Sequence, residues 1–143
     1  MLAWVDLKRN EPLLSYEYWV NKKEEKGEQD LCKHILELDK TIRFVGIASI
    51  EGKLIAQEYR VGLESLLTKE ESELSVMQSI IRMGTRKVLE EKVGKTIYAF
   101  ALYEKVKRAT IPLGDANILM VSFDIEANHE SIILNKILPL IRK

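Results

Sequence analysis

The feature that most constrains this chain is the order of its hydrophobic patterns: a helix, two strands, a long helix, three strands and a last helix. Three successive strands joined by short turns form an antiparallel meander, because a parallel pair needs a crossover of a dozen residues or more. The hairpin ahead of the long helix adds two strands. The expected product is an α+β fold of order αββαβββα, with one five-stranded antiparallel sheet and helices on both faces. A ferredoxin-like order would split the strands differently.

The elements read as follows. Residues 1–27 form an extension carrying Trp4, Trp19, Tyr16 and Tyr18 and then a charged stretch, with a docked helix expected over 13–26. Residues 28–143 form the main domain. Between Glu28 and Asp39, Leu31, Cys32, Ile35, Leu36 and Leu38 share one side at helical spacing. Ile42 to Ser49 reads as a buried strand, Glu51-Gly52 as a tight turn, and Lys53 to Tyr59 as the returning strand. Thr68-Lys69-Glu70-Glu71 has the form of a capping box, opening a helix expected to reach Val93 and stop at Gly94. Thr96 to Tyr103, Lys105 to Ile111 and Asn117 to Asp124 are the three later strands. Asn128 is placed to cap the last helix, which Pro139 should kink or end near Leu138.

Bulk properties narrow the function classes. A 143-residue chain fits one domain and buries about 70% of its unfolded surface, enough for a core without staples. Its 22 basic residues balance 22 acidic ones, so no global field draws it to nucleic acid or anionic lipid. A lone Cys32 excludes an intramolecular disulfide and suits a reducing compartment. The N-terminus has no basic run, and the longest apolar runs, such as Ile118 to Val121, fall far short of the roughly 20 residues that span a bilayer. These features lead us to expect a soluble, cytoplasmic protein.

Two segments look made for a partner. In the long helix, Leu74, Val76, Met77, Ile80, Ile81, Met83, Gly84 and Val88 occupy close to half the circumference, whereas covering a sheet takes a stripe of about 100°. Gly84 inside this arc would let another backbone approach; the alternative is that the extra width packs on the N-terminal segment or a neighbouring loop. The run from Ile97 to Tyr103 holds no charge, proline or glycine, so it must be central, covered, or paired with another copy of itself. The interface residues expected on these grounds are Val76, Met77, Ile80, Met83, Gly84, Lys87, Tyr98 and Phe100.

With the element order in hand, the chain resembles the Roadblock/dynein light chain family, within the profilin-like and longin-like group. The resemblance covers roughly residues 28–142. Its most specific piece is Val45-Gly46-Ile47-Ala48-Ser49-Ile50-Glu51-Gly52-Lys53-Leu54-Ile55-Ala56, which looks like the family's first hairpin. Residues 42–141 are also similar to archaeal proteins, which adds a lineage and no activity. The resemblance implies a sheet order of 2-1-5-4-3, the long helix on one face and the terminal helices on the other. It also implies a homodimer through the third strand and long helix, acting as a non-enzymatic scaffold or regulator of small GTPases. The aromatic extension and the charged loop 57–72 depart from the family pattern.

No catalytic constellation is present in the sequence. Cys32 and His34 are two apart on a helix and point in different directions, while zinc sites usually need three or four protein ligands. His129, Glu130 and Ser131 are neighbours at a helix start and cannot align as a triad, and His129 is expected to sit exposed at the cap. Gly46 and Gly52 lack the spacing of a phosphate-binding loop. No cofactor or metal is therefore expected. Lys105, Lys107 and Arg108 form a basic cluster suited to an anion or acidic partner, though such clusters are usually solvated, and the neutral balance argues against nucleic acid. A second function class stays open: a small-molecule sensor of PAS or GAF type, which would need a pocket between sheet and helix.

Overall fold

The computed structural model describes residues 26–142 with their side chains, together with the backbone of residues 4–6, 11–13 and 16–25. Strands β1 (Trp4–Asp6) and β2 (Glu11–Leu13) pair antiparallel, a hairpin that the helical reading of the extension did not anticipate. Docking of Trp4, Tyr16, Tyr18 and Trp19, as expected above, lies outside the described side chains.

Helix α1 (Tyr16–Glu37) is one helix where two were expected. It runs unbroken through Gly27, where a Cβ would meet nothing within 4 Å. Glycine there lowers helix propensity by about 1 kcal/mol but supplies no break, since the flanking residues are good helix formers. Cys32 and Ile35 are fully buried, at the spacing of one helix face. Strands β3 (Ile42–Ser49) and β4 (Leu54–Tyr59) follow, joined at Gly52, whose φ of +101° a side-chain-bearing residue adopts only under strain.

Helix α2 (Lys69–Lys87) opens on the expected capping box. The Glu71 N–H donates to Thr68 Oγ1 at 3.2 Å, and the Thr68 N–H donates to the Glu71 carboxylate at 2.9 Å. The helix ends sooner than expected, and a separate turn, α3 (Glu90–Val93), precedes Gly94. Gly94 does take a positive φ of 89°, but its ψ of 171° lies outside the left-handed helical well.

Strands β5 (Ala99–Leu102), β6 (Val106–Leu113) and β7 (Asn117–Asp124) form the meander. The five-stranded sheet is antiparallel in the order β4-β3-β7-β6-β5, which is 2-1-5-4-3 when its strands are counted along the chain. Strand β5 is shorter than the uncharged run that contains it. Ala99 pairs with Thr110, so Ile97 would lie opposite Pro112, which has no N–H to donate, and the ladder stops.

Strand alternation divides the core. Val45, Ile47, Ala109, Ile111, Leu119, Val121 and Phe123 face α1 and the terminal helix, where Cys32, Ile35, Ile133 and Ile137 complete an apolar cluster. Ala48, Ile118 and Met120 face α2, with Phe44, Val76, Ile80, Met83 and Ala99 packed around them. Gly46 makes room for this smaller layer, since a Cβ there would lie 2.7 Å from the Phe44 ring. The terminal helix runs as α4 (His129–Ile132), a π-helical turn (Ile133–Ile137) and α5 (Leu138–Ile141). Asn128 caps it as expected, accepting the Ser131 N–H at 3.4 Å. Pro139 does not end it. The wider turn ahead of the proline, in which the Leu138 N–H reaches the Ile133 carbonyl, absorbs the misfit, and the helix continues to Ile141.

Candidate interaction surface

The two edges of the sheet are treated differently. At β4, Gln29 of α1 donates to the Gln57 carbonyl at 2.8 Å and to Glu58 at 2.7 Å, and Lys33 lies 3.9 Å from Glu58. That edge is therefore covered and charged. The β5 edge carries Ala99-Phe100-Ala101-Leu102 and, among the described residues, pairs with β6 alone. The Tyr103 N–H donates to the Val106 carbonyl at 2.9 Å. By the alternation of antiparallel ladders, Ala101 and Ala99 also turn their backbone groups to β6, while those of Leu102 and Phe100 point out of the sheet. An uncharged edge with free backbone groups is a template for another strand.

Helix α2 shows two apolar stripes rather than one broad arc. Val76, Ile80 and Met83 pack on the sheet. On an adjoining flank, Leu74 (59% exposed), Met77 (44%), Ile81 (60%), Gly84 and Val88 (80%) recur at alternating steps of three and four, the spacing of a helix-packing seam. A Cβ at Gly84 would meet nothing within 4 Å. Burying 60% of a side chain worth about 1.5–3 kcal/mol would contribute about 1–2 kcal/mol, so this stripe is a substantial latent surface.

Of the eight residues expected at an interface, the structure thus turns Val76, Ile80 and Met83 inward and leaves Met77, Gly84, Lys87 and Phe100 exposed. Tyr98 is half-buried against the larger core. Leu74, Ile81 and Val88 belong with the exposed group, and their three-four spacing was the available signal. Arg82 and Arg86, on the α2 flank toward β5, had no mark in the sequence beyond their separation of four.

The basic cluster is not one patch. Lys105 is exposed in the turn, Lys107 donates to the Ala127 carbonyl at 2.7 Å on the terminal-helix face, and Arg108 donates to Ser75 of α2 on the other. Neighbouring strand residues point to opposite faces, which separates them. His129 is not free at the cap either: its ring stacks on Phe100, with centroids 3.8 Å apart and planes 7° from parallel. Burial, with Lys107 nearby, pushes its pKa below the usual histidine value and favours the neutral ring. This stack ties β5 to the terminal helix.

Elsewhere the ionisable groups serve the scaffold. Asp124 accepts from Arg43 at 2.9 Å and from Arg60 at 3.1 Å, and Arg60 also donates to the Lys40 carbonyl. Burial raises the Asp124 pKa, but the hydrogen bonds from Arg60 and Arg43 outweigh it and hold the carboxyl below its ordinary value. The Cys32 thiol is pushed up to about 12 by burial and by Glu28 and Glu58, which makes it a packing residue rather than a nucleophile. Among the described residues, no group of three or more His, Cys, Asp or Glu could hold a metal ion. Nor is any helix among them long and apolar enough to cross a membrane.

An antiparallel 2-1-5-4-3 sheet between α2 and the paired terminal helices defines a Roadblock-type fold. Solved structures bear this out. The gliding protein MglB from Thermus thermophilus superposes with a TM-score of 0.62 at 11% identity, over 85% of this chain and 84% of that one. MglB of Myxococcus xanthus gives 0.60 at 14% identity over 76% and 84%. A Roadblock/LC7 domain from Streptomyces avermitilis gives 0.58 at 9% identity over 80% and 98%. The chain therefore has the Roadblock/LC7 fold. No protein-family profile matches the sequence, and no curated protein matches it.

Proposed function

We propose that this chain is a non-enzymatic interaction module, a homodimer that scaffolds or regulates a signalling partner. The observation that carries the reading is the β5 edge, uncharged and, among the described residues, unpaired on its outer side, in a sheet whose opposite edge is covered. Two copies related by a two-fold axis normal to the sheet would join β5 to β5 and continue one sheet through both, with Tyr98 and Phe100 at the seam. The same axis sets both α2 helices on one face of the joined sheet. Their outward residues Leu74, Met77, Ile81, Gly84 and Val88, with Lys87 at the margin, form the surface offered to a partner.

A small GTPase is the partner class that the Roadblock resemblance favours, and the extension of residues 1–27 joins the domain of 28–143 through the continuous helix α1. A cytoplasmic location suits this role. The sensor reading is less well supported, because the larger core is an apolar cluster whose central side chains are fully buried. Sedimentation equilibrium over a wide concentration range tests the association. A reversible dimer is expected, and a monomer at the highest concentration would overturn the reading.

A further inference from the structure

The groove between α2 and the β5–β6 end of the sheet has a character that self-association does not use. Three guanidinium groups line it: Arg82 and Arg86 from α2 and Arg108 from β6. Its lining contains no carboxylate. Among the described residues, Arg82 and Arg86 form no ion pair or hydrogen bond through their side chains, while Arg108 is steadied by its bond to the Ser75 hydroxyl. Like charges four apart on a helix repel one another, so this pair opposes α2 unless an anion lies between them. In a chain whose formal charge is zero, a local concentration of three positive charges marks a place, not a global trend.

The rest of the lining completes a site. Ala99 and Ala101 keep the floor low, Phe44 and Tyr103 supply apolar walls, and the hydroxyls of Thr110 and Ser122 add hydrogen-bonding capacity. Guanidinium forks match the oxygens of carboxylate and phosphate alike, but three of them favour the ligand with more charge and more acceptor oxygens. We infer that the Arg82–Arg86–Arg108 groove binds a phosphate or pyrophosphate group of a small ligand. The three arginines come from α2 and β6, so the charge they concentrate does not depend on β5 pairing.

The test is isothermal titration of the intact chain with sodium pyrophosphate, and separately with inorganic phosphate and a short poly-glutamate peptide, at constant ionic strength. Saturable binding is expected, tighter for pyrophosphate than for phosphate. Arg82→Gln with Arg86→Gln should weaken it by more than about tenfold, since each lost guanidinium removes charge-assisted hydrogen bonds. Both residues are exposed, and an unchanged circular dichroism spectrum and melting midpoint would show that the fold is kept. Absence of saturable binding, or equal affinity in the double variant, would overturn the inference. Preference for poly-glutamate over pyrophosphate would also overturn it, in favour of an acidic protein surface.

Discussion

The outward backbone groups of β5 can be tested one at a time. In the register of β5 on β6, the Leu102 N–H points away from β6, so Leu102→Pro removes an edge donor without breaking the internal ladder. The side chain itself is 66% exposed, so little core packing is lost. In a two-fold pairing the donor is lost from both copies. Two hydrogen bonds at about 0.5–1.5 kcal/mol each come to about 1–3 kcal/mol, or roughly a 5- to 150-fold rise in the dimer Kd. Sedimentation equilibrium measures that change, while urea unfolding of the monomer should move by less than about 1 kcal/mol. Ala101→Pro is the contrast, since Ala101 bonds inward to β6 and its loss should destabilise the fold itself. A dimer whose Kd is the same in Leu102→Pro as in the parent chain would refute β5 pairing.

Three further outcomes follow from the scaffold. Gly84→Ala should raise the unfolding free energy of the isolated protein by up to about 1 kcal/mol, because the added methyl meets no atom and alanine is the better helix former; destabilisation in urea titrations would mean the site is already packed. Asp124→Asn should cost about 1–3 kcal/mol at neutral pH by leaving the Arg43 and Arg60 guanidiniums partly buried without a carboxylate. Because the folded pKa of Asp124 is depressed, its contribution is full above the unfolded value near 4 and disappears as pH falls through the folded one. The variant should therefore show a shallower loss of urea midpoint as the pH falls below about 5, and parallel acid profiles would contradict this. Cys32, fully buried with its pKa near 12, should react with an aromatic disulfide reagent at pH 8 only as fast as the fold opens; rapid labelling of native protein would disprove its burial.

Much of the architecture was legible along the chain because its signals are local. Thr68 to Glu71 announced a capping box, Gly52 a positive-φ turn, and Ile42 to Ser49 a buried strand, each set by residues within a few positions of one another. Helix ends were less legible. Gly27 looked like a boundary and is spanned by α1, while Pro139 looked like a stop and is accommodated by a wider helical turn. Whether a helix tolerates such residues depends on its neighbours as well as on propensity.

The surface was decided in three dimensions. A helical wheel shows that the apolar arc of α2 is wide, but only packing against Ala48, Ile118 and Met120 separates Val76, Ile80 and Met83 from the exposed seam of Leu74, Met77, Ile81 and Val88. The run from Ile97 to Tyr103 shows by itself that it must be covered or paired, yet only strand order makes β5 an edge and β7 the centre. Arg108 stands 26 residues from Arg82 in the sequence, and no local pattern joins them. Periodicity and caps are properties of neighbours in the chain, so sequence determines them directly. Which face is buried, which edge is bare and which charges share a groove follow from long-range contacts, and those exist only once the sheet has closed.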